Sequence, residues 1–185
     1  MSETPPTPDE ILRPLRRTRQ IREFDPTPLD RMTIDALVDV ARWTGSGRNS
    51  QPWRFLVLTE RSTLDSVRDL GLPQTRGLAT AVAAIAIALP SDPGSAISDA
   101  YDEGRVAERL LVAATMLGLG GGISWIRSDV RAALARVLGI PDDWMVRTIV
   151  QLGHPSEGAR APKSAPGQAR LPRDQVVFEG RWPSE

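Results

Sequence analysis

The chain has no cysteine. That excludes disulfides, thiolate nucleophiles, cysteine zinc ribbons and cysteine-ligated iron–sulfur clusters, so any redox chemistry must be borrowed from a cofactor. Histidine is almost as scarce. His154 is the only one, which excludes metal sites built on two histidines and leaves a single ring for any Ser-His-Asp triad. Net charge is absent too: 23 basic residues balance 23 acidic ones, and no global field draws the chain to nucleic acid or to an anionic membrane surface. The longest apolar run, Leu78 to Pro90, is too short to span a bilayer and closes on a proline. The start, MSETPPTPDE, is polar and acidic with no apolar signal core, so the expected location is the cytoplasm. Lysine is missing except for Lys163, and nearly every positive charge is therefore a guanidinium. That suits bidentate phosphate binding, although a GC-rich coding bias gives the same composition.

What is present reads as one domain with a tail, 185 residues being ample for one core and short for two. Residues 1–10 read as a flexible, proline-rich N-terminus, 11–153 as the domain, and 154–185 as a C-terminal arm. Ile11, Leu12 and Leu15 form a short helical stripe leading into Arg16, Arg17, Arg19 and Arg22, and Pro26 and Pro28 then break the chain. Asp30 is placed to cap a helix bearing Ile34, Leu37, Val38 and Ala41 on one face. Trp53 to Thr59 predicts a strand, Glu60 to Leu70 a helix, and Ala81 to Leu89 a buried strand whose alanines also permit a helix. A long helix is expected from about Asp99, with Val106, Leu110, Ala113, Ala114 and Leu117 inward. It stops at Gly118 to Gly122, and Ile123 to Ile126 re-emerges as a strand. Ser128 is placed to cap a further helix, and Met145 to Leu152 is the last core strand. The arm lacks periodicity until the strand-like Val176-Val177-Phe178, a pattern that fits wrapping over a partner. The order of elements predicts an α+β fold with a central mixed sheet flanked by helices.

Three segments hold chemistry. The arginines at 16, 17, 19 and 22 surround a helix end, where guanidiniums and free backbone N–H groups can converge on one anion; a solvated charged face is the plain alternative. The run GLGGGISWI bares its backbone to a planar ligand or, equally, to close packing, and its order of helix, glycines, strand is the reverse of a dinucleotide fingerprint. The loop GSGRNSQPW (45–53) offers Ser46, Asn49 and Gln51, neutral donors and acceptors of the kind a heterocycle with alternating carbonyls and ring nitrogens requires. Taken singly, that loop could be an ordinary capped turn.

Together and in this order, RTRQIREF (17–24), SGRNSQPW, GLGGGISWI and IVQLGHP resemble the signature blocks of the FMN-dependent nitroreductase family, over roughly Arg16 to Trp182. The resemblance implies a nitroreductase-like fold in a homodimer, with FMN tightly bound at the interface and the C-terminal arm crossing onto the partner. It implies that Arg17 or Arg19 with Gln20 meets the phosphate and ribityl chain, since Thr18 stands where an arginine is common. Arg22 then lies near the flavin N1/O2 edge, where a cation stabilises the reduced, anionic ring. Ser46, Gly47, Arg48, Asn49 and Gln51 match the loop that arrives from the other subunit. Gly122, Ile123, Ser124 and Trp125 match the segment beside N5 and O4, and Arg170 a second phosphate-binding arginine. Arg48 is also the candidate substrate contact, being the one charge in a neutral loop. No side chain is expected to be catalytic and no metal is expected, because the flavin holds the chemistry. NADPH or NADH would be the donor, and a small molecule such as a nitroaromatic or quinone the acceptor. Two other readings stand beside this one: a flavin- or ligand-binding protein of the same fold without turnover, and a helical interaction module.

Overall fold

A computed structural model describes residues 5–161, 164 and 170–183. The remainder includes the first residues of the segment read as a flexible N-terminus and part of the lead of the arm, so those readings lie in part outside the described residues. Strand β5 (Trp144–Pro155) organises the sheet. It pairs antiparallel with β3 (Ala83–Pro90) on one edge and with β4 (Gly120–Trp125) on the other, meets the two-residue β1 (Phe24–Asp25) near its end, and β2 (Arg54–Leu58) lies beyond β3.

β3 shows why the sequence folds this way. Ile85, Ile87 and Leu89 point to one face and Ala84, Ala86 and Ala88 to the other, so a run that looked uniformly apolar is in fact a period-two alternation of large and small. The large residues meet Ile34 and Leu37 of α2 (Arg31–Arg42) and Val106 and Leu110 of α4 (Ala96–Met116). The alanines meet Leu64 and Val67 of α3 (Arg61–Arg68) and Leu134 of α5 (Ser128–Leu138). Helices thus cover both faces, and the class is α+β. Among the described residues every strand ladder is antiparallel, and the expected mixed character is reduced to one parallel bridge, Gln20 to Gly121. A strand buried on both faces reads as a continuous apolar run whichever way its neighbours point, and such runs usually signal parallel sheets.

Other boundaries shift for local reasons. The first helix, α1 (Pro8–Arg17), starts inside the proline-rich segment, because Thr7 and Glu10 form a reciprocal capping box and Pro8 sits at a permitted first position. Asp30 caps α2 as expected, accepting from the Thr33 N–H at 2.6 Å. Ser128 does not cap α5. Arg127 holds the cap position, with no side-chain cap bond. Val176 to Phe178 form no strand; Val176 closes a 3-10 turn over Arg173–Gln175, and Phe178 leans on Trp182 with ring centres 5.0 Å apart. No described helix is long and apolar enough to cross a membrane.

Candidate functional site

The arginine block is placed by the chain that follows α1. Past Thr18, whose N–H still donates to the Pro14 carbonyl at 3.0 Å, the backbone extends and runs beside β4. Ile21 N–H donates to the Gly121 carbonyl at 2.8 Å, and the Gln20 side-chain oxygen accepts from the Ile123 N–H at 2.7 Å. This arrangement lines up Arg17, Arg22 and Arg76 with Arg160 and Arg170 around a cleft of about 1530 Å³. Among the described residues, the guanidiniums of Arg17, Arg22 and Arg76 meet no carboxylate and donate no hydrogen bond. Arg19 is differently engaged. It donates to the carbonyls of Ala161 at 2.8 Å, Ala159 at 2.7 Å and Arg160 at 2.6 Å, closing the C-terminal end of α6 (Glu157–Arg160), where a cation also suits the helix dipole. Arg19 is thus engaged by the chain's own carbonyls, whereas Arg17 is not.

The three glycines after α4 lie inside β4 rather than ahead of it, and each has its vacant side filled. A side chain at Gly120 would start 2.9 Å from the Ile21 side chain, one at Gly121 2.8 Å from Leu111, and one at Gly122 2.1 Å from the Ile21 carbonyl oxygen. Their smallness lets the arginine block and α4 approach the strand. Gly118, at φ +73°, makes the turn out of α4. Ser124 is buried, and its hydroxyl donates to the Gln74 carbonyl at 2.7 Å while also accepting from the Gln151 amide, so its side chain serves packing. Ile123 is half-buried and Trp125 is exposed.

The loop 45–51 lies apart from the cleft, against a second cavity of about 710 Å³ bounded by Arg48, Gln51, Arg54, Asp92 and Trp144. Arg48, Asn49 and Gln51 all hold positive φ, at 52°, 56° and 48°. For residues with a Cβ that conformation costs about 1–2 kcal/mol each. Ser46 holds the loop closed by accepting from the Gln51 N–H at 2.8 Å. The exit is fixed by Trp53, which is buried against the face formed by α2 and α4 and stacks on Phe55. Within the chain, then, the arginines and the β4 segment are brought together, and the loop is not.

The family model described as the nitroreductase family matches residues 15–90, the span from the arginine block through the loop to β3. A protein of Archaeoglobus fulgidus, provisionally named NADH dehydrogenase/NAD(P)H nitroreductase, is 28% identical over 157 residues, 80% of this chain and 87% of its own. Over residues 15–90 the chain is similar to the nitroreductase family. Solved structures share its fold: an FMN-dependent nitroreductase from Clostridium difficile, at TM-score 0.76 and 20% identity, covers 91% of this chain and 98% of its own. The NADPH:FMN oxidoreductase of Vibrio harveyi complexed with NAD+, at TM-score 0.77 and 20% identity, covers 94% and 78%.

Within this fold, sequence reasoning missed several residues at or near the two polar regions. Arg76 joins the cleft from the 3-10 segment Pro73–Ala79. Gln74, in the same segment, has its side-chain oxygen buried without a donor among the described residues. On α4, Asp99, Asp102 and Glu103 are all buried. The signal was available: they occupy the positions that continue the Val106–Leu110–Ala114 stripe by three- and four-residue steps, where apolar residues belong. Each has its own partner. Asp99 accepts from the Ser95 hydroxyl at 2.6 Å, Asp102 from the Gly47 N–H at 2.9 Å, and Glu103 pairs with Arg147 at 3.1 Å. Burial pushes the Glu103 carboxyl above the usual carboxylate range, against the opposing pull of Arg147.

Proposed function

We propose that this protein is a homodimeric, FMN-dependent oxidoreductase that uses NADH or NADPH to reduce a small oxidised acceptor such as a nitroaromatic or quinone. One observation supports the reading above all. Guanidiniums at 17, 22 and 76 line one cleft and, among the described residues, pair with no carboxylate, the donor set that a phosphate monoester would complete. When bound, FMN would supply the hydride-transfer chemistry between nicotinamide and acceptor.

The chain's own residues bind and orient. Arg17 and Arg170 would hold the phosphate, Gln20 the ribityl chain, and Arg22 the N1/O2 edge, where its charge favours the reduced ring. Arg19 secures the start of the arm, so that Arg170 is delivered to the cleft it lines. The β4 segment from Gly122 to Trp125 would lie beside the ring through its backbone, since the Ser124 side chain is engaged elsewhere. Ser46, Gly47, Arg48, Asn49 and Gln51 would reach the ring from the partner, which accounts for their separation from the cleft in one protomer. Exposed apolar residues favour such a partner: Ile11, Leu12 and Leu15 on α1, together with Trp43, Met116, Leu117 and Trp125.

The test is the absorbance spectrum of the purified protein after incubation with FMN and desalting, followed by anaerobic addition of NADH or NADPH. A retained flavin band that bleaches with donor and returns with nitroaromatic or quinone is expected. Failure to retain FMN contradicts the proposal, and a flavin that bleaches no faster than free FMN replaces it with a binding protein lacking turnover.

A further inference from the structure

We infer that Asp102 is the positioning residue of the 45–51 loop, holding it in place for the cofactor from inside α4. The inference rests on the flavin reading above. Bonds internal to the loop fix its shape but not its place: Gln51 N–H to the Ser46 hydroxyl at 2.8 Å, Asn49 N–H to the Ser46 carbonyl at 3.1 Å, and Ser50 N–H to the Gly47 carbonyl at 3.0 Å. Among the described residues, one hydrogen bond joins residues 46–51 to the rest of the protein, the Gly47 N–H donating to Asp102 Oδ2 at 2.9 Å. The other carboxylate oxygen pairs with Arg105 at 3.2 Å, and the Arg105 guanidinium lies across Gly45 so closely that a Cβ there would stand 2.9 Å from it. Asp102 is only 5% exposed and sits on a helix of 21 residues whose next turns enter the core, so the anchor point is as fixed as the core itself. The left-handed residues Arg48, Asn49 and Gln51 give the loop a standing tendency to relax. Once the anchor is lost, relaxation moves Ser46, Asn49 and Gln51 together. Asp102 touches neither cofactor nor substrate in this account; it acts through the Gly47 amide.

The experiment measures the FMN dissociation constant, from the fluorescence change on binding, alongside the melting temperature of the FMN-free protein. Asp102→Ala is expected to weaken FMN binding about 10- to 100-fold, the range for a hydrogen bond to a charged group. The fold should survive, because the Arg105 left behind is more than half exposed. Asp102→Asn keeps an oxygen for the Gly47 N–H and should restore binding to within about threefold of wild type, a rescue that a general packing role would not produce. Gly47→Pro removes the donor instead. Ser46 already has the extended backbone that precedes proline, and Gly47 opens the 3-10 turn, where proline is tolerated. It should match the loss in Asp102→Ala, and the double variant should be no weaker than either single one. If Asp102→Ala fails to fold, Asp102→Asn and Gly47→Pro decide the question. The inference is overturned if folded Asp102→Ala binds FMN like wild type, if Asp102→Asn is as impaired as Asp102→Ala, or if the two single losses add. A wild-type protein that takes up no FMN removes the flavin reading and this inference with it.

Discussion

The arginine cleft and the 45–51 loop are both polar, yet the first gathers charge on relaxed backbone and the second places neutral groups on a left-handed one. Coulombic attraction falls off slowly with distance, so guanidiniums on long side chains can hold a phosphate without exact placement. A neutral hydrogen bond fades within a few tenths of an ångström and a few tens of degrees, so amides and hydroxyls must be set by their backbone. That difference explains why the loop carries three unfavourable φ values and a buried carboxylate at its base, while the cleft needs only an extended segment and the guanidiniums of Arg17, Arg22 and Arg76.

The largest expected effect breaks the cleft at its foundation. Gly122→Ala drives a Cβ to 2.1 Å from the Ile21 carbonyl oxygen, which is backbone and cannot swing aside. Chemical denaturation should show a loss of about 3 kcal/mol, the upper part of the usual overpacking range, and the arginine block should detach with it. Next, Arg22→Ala leaves the fold intact and should weaken FMN binding about 10- to 100-fold by titration, in line with a lost charged hydrogen bond. Added salt should lower wild-type affinity and lower that of the variant less, because the cleft works by charge. Arg19→Ala sharpens the division within the arginine block. It removes three bonds to the carbonyls at 159–161 and should cost about 1 kcal/mol in thermal unfolding, with a smaller effect on FMN than Arg22→Ala has. Smallest is Arg48→Ala, an exposed charge in a neutral loop. Steady-state kinetics should show donor or acceptor preference shifting by a few-fold, the scale of about 0.2–1 kcal/mol for exposed charges, with FMN retained.

Much of this was legible in the sequence because periodicity and spacing encode it. The helices, the buried strand at Ala83–Pro90 and the Asp30 cap all follow from where apolar and capping residues recur. Strand direction did not follow, since burial on both faces hides it. The glycines at 120–122 were seen, but their purpose was open: only the path of Ile21 and Leu111 shows that packing occupies their vacant sides. Asp102 and Glu103 went unread because a stripe is found by its apolar members, and an acid in the stripe becomes informative once its partner, Gly47 or Arg147, is located in space.

The central claim is that cleft and loop from different protomers make one flavin site, and mixing two inactive variants tests it most directly. Arg22→Ala dimers lack a working cleft, and dimers with Asn49→Ala and Gln51→Ala lack a working loop. Each should bind FMN weakly alone. After dissociation and random reassociation in equal amounts, each mixed dimer contains one site with both halves intact, so about one quarter of all sites should recover wild-type affinity. If mixing restores none, the two halves belong to the same protomer and the account is wrong.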